Sequence, residues 1–91
     1  MEIKGEVVRV KQVETWNNPN TGKLNAKLGF VVKSGRPGYE RDVYLQVWGR
    51  ERVDKVDIRV GDSVTAQVDA ESREHNGKFY TDLKVWKLEK Q

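Results

Sequence analysis

Cysteine is absent from this 91-residue chain, and there is one histidine. The first absence excludes a disulfide framework, a thiolate metal site and a cysteine nucleophile. The second leaves little from which to assemble a nucleophile and its base. No apolar run approaches the ~18–20 residues that a membrane helix needs. The opening Met1-Glu2-Ile3-Lys4-Gly5 goes straight into charged alternation, which is not the pattern of a signal peptide. No internal repeat or low-complexity stretch is visible. No phosphate-binding loop is present either, since Asn20-Thr21-Gly22-Lys23 has only the tail of that motif. A non-enzymatic, soluble protein of the cytoplasm is expected, with no cofactor and no metal. One domain spanning residues 1–91 is expected, because a chain this short buries only roughly 60% of its unfolded surface.

Acidic residues are missing from one segment. Between Thr15 and Tyr39 the chain carries Lys23, Lys27, Lys33 and Arg36 and no carboxylate. The residues before it balance, and those after it carry ten basic against eleven acidic residues. The net charge of +3 therefore has its origin in this stretch. A confined basic stripe suits a polyanion-binding face, although a basic loop with no partner would look the same.

The dominant hydrophobic period is two, the signature of strands with one buried face. Residues 3–13 read as a first strand in which Ile3, Gly5 and Val7 alternate before Val8 and Val10 take over. That shift of phase beside a glycine implies a bulge or bend. Residues 15–23 (TWNNPNTGK) read as turn chemistry throughout. A second strand carries Leu24, Ala26, Leu28, Phe30 and Val32 on one face, and residues 34–38 form a loop. In the third strand Val43, Leu45 and Val47 oppose Tyr44, Gln46 and Trp48. Val53 and Val56 suggest a short helix over 50–58. Val60-Gly61-Asp62 leads into a fourth strand with Val64, Ala66, Val68 and Ala70 inward. Asn76-Gly77 marks a tight hairpin, and a fifth strand runs from Lys78 to about Leu88, with Phe79, Thr81, Leu83 and Val85 on one face. Phe30 and Phe79 read as core.

The order β–β–β–α–β–β gives an all-β fold class. It points to a five-stranded OB-fold barrel with a short helix between strands 3 and 4. An SH3-like barrel, the competing fold, lacks a helix at that joint.

The run Asp42-Val43-Tyr44-Leu45-Gln46-Val47-Trp48-Gly49, then a helix, then Arg59-Val60-Gly61-Asp62-Ser63-Val64, resembles the central segment of bacterial and phage single-stranded-DNA-binding (SSB) proteins. The first five residues and the stretch Glu71 to Leu83 (ESREHNGKFYTDL) look like a family of short SSB-like OB domains of bacteria and their phages. The resemblance implies sequence-tolerant binding of single-stranded DNA in replication, recombination or repair, in a bacterial cytoplasm, a nucleoid or a phage-infected cell. Bacterial SSBs also carry a long disordered tail with an acidic tip. This sequence ends at Leu88-Glu89-Lys90-Gln91, directly after strand five, so recruitment of partners through such a tail is not expected unless another chain supplies it.

A single strand offers anionic phosphates and unpaired base faces, so a sequence-tolerant binder needs cations beside aromatic platforms. Strand parity turns Trp48 and Tyr44 outward on the third strand and Lys27 and Lys33 outward on the second, where they share one surface. Trp16, Lys23, Arg36 and Tyr39 are expected in the flanking loops. OB-folds bind oligonucleotides on this face. Arg73 and Lys78 flank the hairpin, where they either clamp phosphates or solubilise the turn. Other readings stand beside these. An outward Trp48 also suits an oligomer interface, and Trp86 and Tyr80 suggest contact between copies in a homo-oligomer, a dimer or tetramer. Trp16 could simply cover one end of the barrel. An OB-type protein-interaction module or an RNA-binding domain would use similar residues. His75 beside Glu71 and Glu74 has too few rigid ligands for zinc.

Overall fold

Alternation with a period of two gives every strand one apolar face, and curling the sheet into a ring lets all those faces meet. The computed structural model describes residues 1–91. Strand β1 (Glu2–Val10) is followed by the short β2 (Glu14–Asn17), β3 (Leu24–Ser34) and β4 (Arg41–Trp48). Helix α1 (Arg50–Lys55) then leads to β5 (Ser63–His75) and β6 (Lys78–Lys90). Strand β1 pairs with both β3 and β5, β5 with β6, β6 with β4, and β4 with β3, which closes a five-stranded ring. All pairs are antiparallel except β4–β6, which meet in parallel with Gln46 opposite Lys84. This is the OB-fold barrel, with its helix at the expected joint. Phe30, Leu45, Val7, Val32, Val64 and Val68 are its largest fully buried side chains, each worth about 1.5–3 kcal/mol on removal from water. Val53 is the one buried residue of α1 and ties the helix to this core.

The bend in β1 has a visible cause. Gly5 and Glu6 pair with Ser34 and Lys33 on one side and with Val64 and Ser63 on the other. A Cβ on Gly5 would meet the backbone carbonyl of Lys33, so only glycine allows the two strands to approach this closely there. The register then slips between Val7 and Arg9, a bulge that absorbs Val8. The Val60-Gly61-Asp62 turn docks at this point. Gly61 N–H donates to the carbonyl of Val7 (2.8 Å), and Val7 N–H donates to the carbonyl of Asp62 (2.8 Å). Gly61 has φ +98°, which a side chain would strain. Within the turn, Arg59 N–H donates to Asp62 Oδ2 at 2.8 Å, and Lys90 Nζ lies 3.3 Å from the same oxygen.

Several expectations need correction. The segment over 15–23 is not turn throughout: residues 14–17 pair with 24–27 as β2, with Trp16 opposite Asn25. Extended backbone there satisfies the free edge of β3 beyond the point where β1 leaves it. The helix stops at Lys55, not near 58, because Val56 and Ile58 are half-buried while Asp57 between them is exposed. That period of two requires extended chain. The first strand ends at Val10. Ala70 and Phe79 are not core: every residue from Asp69 to Thr81 is exposed, and Phe79 is 72% accessible. Their alternation is correct for a strand, but the β5–β6 hairpin runs past the barrel, so neither of its faces meets a second layer. Its turn is the expected one, with φ +53° at Asn76 and +79° at Gly77.

Two consequences follow for stability. Gly5→Ala should lower stability by about 1–3 kcal/mol through overpacking against β3, read as a lower denaturant midpoint. The pKa of Asp62 is held below its ordinary 3.8, chiefly by the Arg59 hydrogen bond and further by Lys90, against an opposing effect of desolvation. A depressed folded pKa stabilises the fold fully above the unfolded value and is lost as pH falls through the folded one. Asp62→Asn should therefore be less stable than the natural chain at neutral pH. The gap between their urea midpoints should narrow as the pH falls below 3.8.

Candidate nucleic-acid interface

The outer surface of β3 and β4 is where the polar alternate positions of two strands come together. Lys27 sits opposite Trp48, Gly29 opposite Gln46, and Val31 opposite Tyr44. Outward residues on a sheet are ordinarily open to water, yet Gln46 is only 9% exposed. It accepts a hydrogen bond from the indole N–H of Trp48 (3.0 Å), which fixes the plane of that ring. Trp16, brought up by β2, meets Trp48 edge-on with centroids 5.7 Å apart and planes at 75°. Tyr44 lies across Gly29, where a Cβ would collide with its ring. Lys11 Nζ is 5.7 Å from the centre of that ring.

Two ammonium groups lie over the Trp48 ring: Lys27 Nζ at 5.0 Å and Lys84 Nζ at 4.7 Å from its centre. Cations at that range are attracted by the quadrupole of the ring. Each also has a carboxylate partner. Lys27 pairs with Glu14 at 3.3 Å and Lys84 with Glu71 at 2.6 Å. Trp48 separates two depressions. One runs to the β2–β3 loop and the start of α1, lined by Lys23, Arg50 and Arg52 among others. The other runs to the hairpin and is lined by Ser72, Arg73 and Asp82. Trp48 lines both, so a shallow path leads away from it on either side, with Lys23, Arg50 and Arg52 along one and Arg73, paired with Asp82 at 3.9 Å, along the other.

The anticipated residues fall into four groups. Trp16, Lys23, Lys27, Trp48 and Arg73 gather around this path, although Trp16 stands on a strand and not in a loop. Tyr44, 42% exposed, occupies the middle of the same face. Lys33, Arg36 and Tyr39 lie at its far end. Lys33 lies six positions along the strand from Lys27, roughly 20 Å. Lys33 stands between Glu6 and Asp42 on its neighbours. Arg36 lies 5.9 Å from the ring of Tyr39, which is 76% exposed. Lys78 is at the tip of the hairpin, opposite His75. No group of three or more His, Asp or Glu side chains comes together to hold a metal.

Lys11, Arg50, Arg52 and Lys84 belong to the surface and were not anticipated from the sequence. Lys84 shares the outward parity of Tyr80 on its strand, so its direction was legible. Its neighbour was not, because only the parallel β4–β6 bridge brings it to Trp48.

Trp86 and Tyr80 are 53% and 45% exposed. No helix is long and apolar enough to cross a membrane.

The crystal structure of a small single-stranded DNA-binding protein from Streptomyces coelicolor aligns with the chain at a TM-score of 0.53 and 13% identity. The alignment covers 100% of this chain and 92% of that one. At such identity the likeness is one of fold. No curated protein matches the sequence. The family described as "Domain of unknown function (DUF3127)" matches residues 2–89, nearly the whole length, and the chain belongs to that family.

Proposed function

We propose that this protein binds single-stranded DNA without sequence preference, as a non-catalytic factor in replication, recombination or repair. The observation that carries the reading is the setting of Trp48. Its ring is oriented by Gln46, bordered by Lys27 and Lys84, and flanked on both sides by depressions that end in cations. Stacking one base on such a ring is worth about 1–3 kcal/mol, and an OB-fold covers ~4–16 nucleotides. Lys23 and Arg52, which have no carboxylate within ion-pairing distance, are the cations freest to meet phosphates. The fold shared with the Streptomyces coelicolor protein supports the same reading.

Oligo-dT added to the protein should quench tryptophan fluorescence at low salt. Trp48→Ala should weaken binding roughly 5- to 150-fold while leaving the salt dependence nearly unchanged. Lys23→Ala with Lys84→Ala should instead flatten the plot of log affinity against log salt by about 0.7 per lost phosphate contact. Unaltered fluorescence and no shift of labelled oligo-dT at micromolar protein would remove the reading. Competition by oligo-U on equal terms would widen it to single strands of either sugar.

Association of copies belongs to the same proposal. Phe79 and Tyr80 expose their rings on the two opposite faces of a hairpin that has left the barrel, which favours a partner that takes hold of the hairpin. Sedimentation should give a dimer or tetramer for the natural chain and a monomer for Phe79→Ser with Tyr80→Ser. A natural chain that sediments as a monomer at all concentrations would refute it.

A further inference from the structure

We propose that the seam between α1 and β6 docks an extended acidic peptide, which adds to the free edge of β6. The ring is closed between β4 and β6 by the single pair Gln46 and Lys84. Beyond it the two strands part. Residues Lys87–Lys90 have a strand partner, β5, on one side only. On the other side, alternate N–H and C=O groups of this stretch face no strand, which is the condition for an added strand. A groove of about 370 Å³ lies along that edge. Its floor is aliphatic: Val47 and Val85 are 3% exposed, and Val56, Ile58 and Leu88 are half-buried. Added strands gain affinity from backbone hydrogen bonds and selectivity from alternate side chains that enter such a floor.

The rim supplies the charge of the partner. Arg52, Lys55, Lys87 and Lys90 surround the groove against one acid, Asp57. Lys87 and Lys90 already contact Glu89 and Asp62, at 3.2 and 3.3 Å. Arg52 and Lys55 have no carboxylate within 4.0 Å, so two cations are unneutralised. Trp86 completes the rim. The register between β5 and β6 skips it, so that Val85 meets Val68 and Lys87 meets Gln67, and the bulge leaves its ring 53% exposed beside the groove.

A peptide alternating acidic and aliphatic residues satisfies the rim, the floor and the edge together. A second copy of the chain fits poorly, since two-fold pairing sets the same four cations against themselves. A nucleic acid would find a single ring face, that of Trp86, and below it a floor of aliphatic carbons on which no second base can stack.

The test uses the full chain and a fluorescein-labelled synthetic peptide in which aspartate alternates with isoleucine. A control peptide carries lysine in place of aspartate. The anisotropy of the acidic peptide should rise on titration, and the lysine peptide should bind at least 10-fold more weakly, a difference of about 1.4 kcal/mol. Lys55→Glu, at an exposed position, should cost at least as much. Trp86→Ala should weaken binding while the thermal melt is retained, and oligo-dT should not compete for Arg52→Ala, which lacks the one cation that lines both depressions. Equal binding of both peptides, or no binding at about 100 μM protein, where a contact worth some 5–6 kcal/mol would show, overturns the proposal. So does displacement of the peptide from Arg52→Ala by oligo-dT. So does self-association that Trp86→Ala abolishes, which would seat a second copy there.

Discussion

Strand β1 must pair along both of its edges at once, and the barrel depends on that. Without a strand shared between β3 and β5 the sheet would stay open and its apolar face would have nothing to cover it. Sharing requires a sharp bend in very few residues. Gly5 lets β1 lie against β3 without a Cβ between them, and the bulge after Val7 redirects the strand. The Gly61-Asp62 turn then hydrogen-bonds to both backbone groups of Val7, which pins the bend from outside. The entrance to β5 is thereby positioned by β1, so that the last two strands follow from a decision made in the first ten residues.

Closing the ring with one parallel pair has consequences on both sides. Gln46 and Lys84 meet, and through them Lys84 reaches the Trp48 ring that Gln46 orients. Past this pair β4 ends at Trp48 and the chain leaves as α1, so β6 continues with one edge unoccupied. The proposed strand of DNA and the proposed peptide thus face different products of the same geometry. One uses the surface that the bridge brings together, and the other the seam that it leaves open. Arg52 lines the depressions on both sides.

Much of the fold could be read from the chain because it rests on local rules. The alternation in 24–32 and 43–48, the slip of phase after Gly5 and the Asn76-Gly77 pair each carry their meaning within a few residues. The sequence misleads where a local signal is correct but its context is not local. Phe79 has the parity of a core residue and no core beneath it, since strand pairing continues beyond the reach of the barrel. Trp16 lies among turn residues, and only the free edge of β3 makes a strand of them. On the outer face, parity identified the direction of Trp48, Tyr44 and Lys27. Summing charge along segments concealed Lys84, because the acids that balance its segment in sequence are distributed over several surfaces in space.

The charges around Trp48 are not those of a simple basic groove. Lys27 and Lys84 are held by Glu14 and Glu71, so the resting surface is a set of ion pairs around an aromatic ring. Exposed pairs of this kind contribute about 0–1 kcal/mol, and an exposed cation over an aromatic ring about 0.5–1 kcal/mol. A stacked base contributes about 1–3 kcal/mol, and each phosphate contact also releases counterions. Under the proposed function, an incoming strand would therefore exchange carboxylate for phosphate at both lysines at little net cost and still gain the stacking. On this reading the ion pairs do not oppose binding strongly. They keep the two ammonium groups at the ring before the strand arrives, so that less side-chain entropy is lost when it does.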